Sequence, residues 1–279
     1  MNSTQTLSAL LYGFIQGVTE FLPVSSSGHL ALIPKFLDWK DPGVAFDLWM
    51  HVGTALAVLV YFHKKIFPLF SELKNLIIEP KATLTAERSY LINIIIATGV
   101  TGVLALSGKH LGETIGRMPL MIGLNLIIFG VFMYGADFLA HQRELLSNHE
   151  GFIQNTERMN KVLIKESILV GLFQAMAIFP GVSRSGATLS IMRMMNFKRE
   201  EAASFSFILS LPIIFIGALL KAKDMEGSVN LVELLLGVGV SFLVGLATIH
   251  FFLGMIKKMG LGIFCFYRIA LALVIFYFL

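Results

Sequence analysis

Long apolar stretches alternate along the chain with short polar punctuation. Six of them, roughly 45–62, 89–107, 118–140, 202–220, 231–256 and 261–279, are apolar over about the 20 residues that a membrane-crossing helix needs. Two further segments, 6–37 and 162–196, are apolar at both ends and broken in the middle. As one helix, 6–37 would run about 48 Å, well beyond the ~30 Å hydrocarbon core. Pro23 and the Ser/Gly run after it split the first segment, and Pro180-Gly181 splits the second. Two short arms meeting at a polar tip predict a re-entrant hairpin. Non-helical backbone at membrane depth is tolerated only where protein or a wet cavity covers it.

The two broken segments are versions of one text. Residues 13–30 read GFIQGVTEFLPVSSSGHL and residues 171–188 read GLFQAMAIFPGVSRSGAT. At a constant offset of 158, seven of eighteen positions are identical: Gly13/Gly171, Gln16/Gln174, Phe21/Phe179, Val24/Val182, Ser25/Ser183, Ser27/Ser185 and Gly28/Gly186. Each half then holds one hairpin and three spans. Repeat 1 covers about 1–140 with hairpin 6–37, repeat 2 about 162–279 with hairpin 162–196, and 141–161 is a polar connecting loop. A hairpin returns to its own side and three spans do not, so the second half starts from the opposite face. The expected architecture is an all-α polytopic membrane protein with six transmembrane helices and two re-entrant helical hairpins. It is one integral membrane domain over 1–279, an inverted-topology internal repeat whose two tips meet near the midplane.

Composition sharpens this picture. The chain is 56% hydrophobic and only 14% charged, against about 25% charged in a soluble domain, with a mean hydropathy of +0.76. A net charge of +4, carried mostly in loops, reads as membrane topology rather than nucleic-acid binding. The single cysteine, Cys265, allows no disulfide framework and no thiolate metal site. The N-terminus lacks the basic n-region of a cleaved signal peptide. Of the 22 Lys and Arg residues, six (Lys35, Lys40, Lys109, Arg117, Lys221 and Lys223) fall on one side. Fourteen fall on the other, with Arg184 and Arg268 left at membrane depth. The positive-inside rule makes the richer side, which holds the 141–161 loop, cytoplasmic. Both termini and the mouth of the first hairpin then face outward.

The repeats diverge where chemistry would sit. The first carries Glu20 and His29; the second has Ile178 and Ala187 there, and sets Arg184 opposite Ser26. A charge at membrane depth costs about 2.5–3.5 kcal/mol even on the mild insertion scale. Glu20, His29 and Arg184 are therefore candidate functional residues. Gln16 and Glu20, four apart, share one helix face. The second tip reads as an anion cradle. Gly181 and Gly186 allow close backbone approach, a helix N-terminus points at the tip, and Arg184 supplies a fork matched to phosphate oxygens. Ser183, Ser185 and Thr188 add hydroxyls, and Ser25, Ser27 and Gly28 repeat the design in the first tip.

Ser26 is the candidate nucleophile, a hydroxyl at a helix start near an imidazole. His29 attacking directly, or a water attack, are the other choices. Glu20 and His29 are suited to proton transfer. Arg184 either clamps an anion or staples the hairpins through Glu20. His51 and His250 are expected to be satisfied interior histidines, and Asp47 and Glu233 to snorkel at span ends. Arg268 either pairs with an acid or meets a lipid phosphate.

The motifs QGVTEFLPVSSSGH and PGVSRSGAT resemble the two signatures of the undecaprenyl-diphosphatase family, the bacitracin-resistance proteins. The matching residues are Gln16, Glu20, Pro23, Val24, Ser25, Ser26 and His29 in the first, and Pro180, Gly181, Ser183, Arg184, Ser185 and Thr188 in the second. Gln16 stands where many members carry Glu. The resemblance covers essentially the whole chain. It implies hydrolysis of undecaprenyl diphosphate to undecaprenyl phosphate and inorganic phosphate, recycling the cell-wall carrier lipid and conferring bacitracin resistance. The location implied is the bacterial cytoplasmic membrane, with the site open to its outer face. The resemblance also brings a divalent cation, Mg²⁺ or Ca²⁺. With Glu20 the only candidate protein ligand, such an ion would ride on the substrate diphosphate. No organic cofactor is expected. The expected partners are undecaprenyl diphosphate and membrane lipids, with no nucleic acid and a homodimer as the oligomer to test.

A carrier-lipid transporter or flippase is the competing reading, since inverted repeats with broken helices also build transporters. The membrane acid-phosphatase type expects a His followed four residues later by Asp, downstream of Ser-Arg. Here His250 is followed at 254 by Gly.

Overall fold

The computed structural model describes residues 3–146, 161, 163–221 and 231–279. Most of the loop predicted at 141–161, with Arg158, and Lys223 lie outside the described residues. Among the described residues, eleven α-helices run in chain order: α1 Ser3–Thr19, α2 Ser26–Leu37, α3 Val44–Tyr61, α4 His63–Ile78, α5 Ala86–Glu113 and α6 Pro119–Leu146, then α7 Ile164–Ala175, α8 Arg184–Met194, α9 Arg199–Lys221, α10 Leu231–Ile256 and α11 Gly262–Phe278. No strand occurs among the described residues.

Among the described residues, five helices are long and apolar enough to cross a membrane: α3, the stretch Ala86–Gly108 of α5, α6, α9 and α10. The sixth predicted span, 261–279, forms the shorter 17-residue α11, about 26 Å long. Each broken segment does split into two arms. α2, α7 and α8 have 12, 12 and 11 residues, about 17–18 Å each, too short to cross alone. The outward side chains are apolar, with Phe266, Tyr277 and Leu219 among the most exposed. A soluble protein rarely shows so much contiguous apolar surface.

α4 was not expected as an element. It follows α3 after a break at Phe62 and turns Ile66 and Leu69 inward, while Phe67, Phe70, Ile77 and Ile78 stay exposed beside Lys64, Lys65 and Lys74.

The first arm of each broken segment packs against the other repeat. α1 lies along α10, and α7 lies along α5. Glycine permits both approaches. A Cβ on Gly13 would run into the Gly237 carbonyl, and one on its repeat partner Gly171 would sit 2.6 Å from the Ala97 carbonyl oxygen. An apolar core with Phe21 against Phe207, ring centroids 4.9 Å apart, fills the space beneath the first tip.

Ion clusters mark two levels of the bundle, one buried and one partly exposed. In one, Asp137 of α6 accepts from Arg193 Nε of α8 at 2.8 Å, from Arg199 of α9 at 2.8 and 2.9 Å, and from the Leu261 amide at 3.0 Å. In the other, Arg117 reaches Asp41 and Asp47, each at 3.1 Å. Asp47 is thus buried and paired with Arg117 rather than snorkelling.

Candidate active site

The two tips meet. Each begins its second arm on a serine cap with a left-handed backbone: Ser25 at φ 72° opens α2, and Ser183 at φ 71° opens α8. Both caps accept from the glycine amide three residues on, Gly28 at 3.4 Å and Gly186 at 3.0 Å. Both hydroxyls also pair with the next serine but one, Ser27 at 3.5 Å and Ser185 at 3.3 Å. Positive φ at a non-glycine residue costs of order 1–3 kcal/mol and persists only where surroundings enforce it. Here it turns two helix N-termini toward one another.

Cross-bonds knit the tips together. The Gly181 amide donates to Ser25 Oγ at 2.9 Å, and Ser185 Oγ to the Glu20 carbonyl at 3.2 Å. Gly181 itself turns at φ +95°, and a Cβ there would sit 2.5 Å from the Ile122 carbonyl oxygen. Arg268 of α11, fully buried, donates to the carbonyls of Pro23 (3.2 Å), Gly181 (2.6 Å) and Val182 (3.0 Å), and to those of Leu126 and Asn125 on α6. Neither role foreseen for Arg268 matches this one, in which a single guanidinium ties both turns to two helices.

Glu20, 4% exposed, is the hub. Its Oε1 accepts from Arg184 Nη2 at 2.5 Å. Its Oε2 accepts from Ser26 Oγ at 2.5 Å and Gln16 Nε2 at 2.8 Å, and lies 3.3 Å from His51 Nε2. Gln16 is fully buried and also donates to Thr54 Oγ1 at 3.3 Å, so it backs the carboxylate. Thr188 lies one turn into α8, bonded to the Arg184 carbonyl and to Ser206 Oγ at 2.5 Å.

His29 stands apart from this hub. Its Nδ1 faces the Ser25 carbonyl and its Nε2 the Tyr267 hydroxyl, both at 2.8 Å. The sequence reading named neither Tyr267 nor the part His51 plays. Asp47, His51 and Thr54, spaced i, i+4 and i+7, form a polar stripe on α3 that carries the signal for His51. Tyr267 lies 238 residues from its histidine and gives no comparable signal.

The residues present do not fit a resident metal ion. Both Glu20 oxygens are committed to protein donors, Gln16 supplies an amide rather than a second carboxylate, and no group of three or more His, Cys, Asp or Glu converges among the described residues.

Fold and site together define an all-helical polytopic membrane protein with a serine, carboxylate and arginine cluster buried between two broken helices. Residues 9–274 match the family described as "Bacitracin resistance protein BacA", and the chain belongs to that family. It is 35% identical over 271 residues to an "Undecaprenyl-diphosphatase" of Marinobacter nauticus, covering 96% of this chain and 97% of that one. It is 35% identical over 274 residues to one of Caldicellulosiruptor bescii, covering 97% and 96%. It is 38% identical over 270 residues to one of Moorella thermoacetica, covering 96% of each.

Proposed function

We propose that the protein is an undecaprenyl-diphosphate phosphatase working at the outer face of the bacterial cytoplasmic membrane. The observation that carries the mechanism is the Ser26 hydroxyl. It sits in the first turn of α2, 2.5 Å from a carboxylate whose other oxygen is held by Arg184. Ser26 Oγ attacks the terminal phosphorus, and its proton passes to Glu20 Oε2. The bond from that phosphorus to the bridging oxygen breaks, and the lipid phosphate leaves with the bonding electrons. Water then attacks the phosphoserine, and the proton it gives up passes to an oxygen of the phosphate being released. Glu20 returns the first proton to Ser26 Oγ as inorganic phosphate departs. Arg184 and the two helix N-termini stabilise charge on the transferring phosphoryl group. His29, held away from Glu20, is placed to act on the substrate from the Tyr267 side.

The repeat, the partner exchange of α1 and α7, and three arms too short to cross support the finer topology. We read six spans with α11 as the sixth, two re-entrant hairpins and an inverted repeat within one domain. The Lys and Arg count supports outward termini and an outward site. A C55 tail cannot leave the bilayer at about 0.8 kcal/mol per CH₂, so the headgroup must reach the tips through a lateral gap. Any divalent cation is assigned to the substrate diphosphate. The relatives' names lend no support to a flippase. Phosphate release from undecaprenyl diphosphate by the purified protein tests the reading, with Ser26→Ala as control. A folded Ser26→Ala protein with wild-type turnover would remove Ser26 from the mechanism.

A further inference from the structure

α4 presents three arcs rather than two. Ile66 and Leu69 turn into the core. Phe67, Phe70, Ile77 and Ile78, at the spacing of one helix face, are 59–78% exposed. Lys64, Ser71, Asn75, Glu72 and Lys65 fill the remaining side. Lys74 falls inside the exposed apolar arc, one turn from both Phe70 and Ile78.

Both ends of the helix are held. α4 starts one residue after α3 stops, at the break of Phe62. Past its other end the Glu79 carbonyl accepts from Arg88 Nη2 at 2.7 Å, and Arg88 is buried in the first turn of α5. α3 and α5 are both long and apolar enough to cross a membrane. The helix between them has 16 residues, about 24 Å, too short to cross the ~30 Å hydrocarbon core. Its ends sit where one crossing helix finishes and the next begins, so it lies along the membrane face. Three surroundings then match the three arcs: protein core, acyl chains and water. Lys74 sets the depth, because a lysine stem can lie among apolar side chains only if its ammonium reaches the headgroups.

Charge selects the lipid. From 64 to 81 four lysines stand against two glutamates, Glu72 and Glu79. Glu72 accepts from Asn75 Nδ2 at 3.3 Å. Among the described residues Lys257 finds a carboxylate, 2.9 Å away on Glu200, and Lys64, Lys65 and Lys74 find none. Exposed ammonium groups without a carboxylate, at the level of lipid headgroups, are suited to phosphate oxygens. We infer that α4 lies in the membrane interface and binds the phosphate groups of anionic phospholipids through Lys64, Lys65 and Lys74. The Lys and Arg count makes this the cytoplasmic leaflet.

Two measurements on the full-length protein test this, and neither needs turnover. On a Cys265→Ser background, spin labels are placed on Phe70→Cys and Asn75→Cys in nanodiscs of phosphatidylcholine mixed with phosphatidylglycerol. The label at 70 should relax with oxygen dissolved among the acyl chains, and the label at 75 with a water-soluble nickel chelate. A label at 70 that meets the chelate puts the apolar arc in water and overturns the inference. One shielded from both reagents means that protein, such as a second copy, covers the arc, and overturns it equally. For the headgroups, a fluorophore goes on Ser71→Cys, at the edge between the apolar and polar arcs. Spin-labelled phosphatidylglycerol should quench it more strongly than spin-labelled phosphatidylcholine. Each lysine exchanged for glutamine should lower that preference by up to about fivefold, and Lys64→Gln, Lys65→Gln and Lys74→Gln together should remove it. A triple variant with the wild-type preference overturns the lysines' role. Loss of the preference to inorganic phosphate at an ionic strength held constant would reduce the lysines to an ion site and overturn the lipid assignment.

Discussion

Arg184 and Glu20 are 164 residues apart in sequence and 2.5 Å apart in space. Each comes from a different broken segment, and each stands where its repeat partner offers no such charge. The pair both joins the tips and aims the carboxylate at Ser26.

Substitution of Arg184 separates those two duties. Arg184→Ala leaves Glu20 with Ser26, Gln16 and His51, so the protein should stay folded. Arg184→Lys keeps charge but loses the planar fork, and turnover should fall about 10²–10³-fold. Turnover and thermal melting should be measured on the same preparations. A melting loss in proportion to the activity loss would reduce Arg184 to a staple.

Asp137 should matter for stability. Its removal takes from Arg193, which has no exposed surface, the carboxylate at 2.8 Å and leaves it the more distant Glu144 at 3.7 Å. Asp137→Ala should cost about 3–5 kcal/mol, read as a large drop in the melting midpoint in detergent. A variant melting with wild type would mean that the cluster carries little net energy.

Glycine substitutions should split by what they touch. Gly171→Ala puts a methyl 2.6 Å from the Ala97 carbonyl oxygen and should separate α7 from α5. Gly99→Ala, with nothing within 4 Å, should be tolerated or gain about 0.5–1 kcal/mol from helix propensity. Melting curves of the two single variants decide it. Equal effects would contradict the close approach.

The proposed orientation can be read from outside the cell. On a Cys265→Ser background, cysteines at residues 38–42 should react in intact cells with a membrane-impermeant thiol reagent. Cysteines at 145–155 should not. The reverse labelling pattern would turn the molecule over and move the site to the cytoplasmic side.

The breaks in the two apolar segments were legible because a proline and a run of small polar residues interrupt each of them in the same order. Ser25 and Ser183 were visible as repeat partners, but their shared left-handed backbone was not, since serine rarely adopts it. His51 was hidden by its surroundings. One histidine in an apolar span reads as interior packing until the Glu20 turn is folded against it. α4 escaped because Lys64 and Lys65 interrupt its apolar run, and α11 is shorter than the apolar stretch that announced it. The bonds from Arg268 to five carbonyls leave no trace in side-chain identity, because a backbone acceptor can belong to any residue.

The chain writes both tips long before it writes the residue that ties them. Arg268 follows Val182 by 86 residues and Pro23 by 245. At ribosomal speeds of about 5–20 residues per second, the second tip waits roughly 4–17 s for its guanidinium. Through that interval the turn carbonyls must be held by water or by the insertion machinery. The site is therefore finished last, by the insertion of α11. A nascent chain stalled before that helix would carry Glu20, Ser26 and Arg184 and still lack the knot that ties the two turns together.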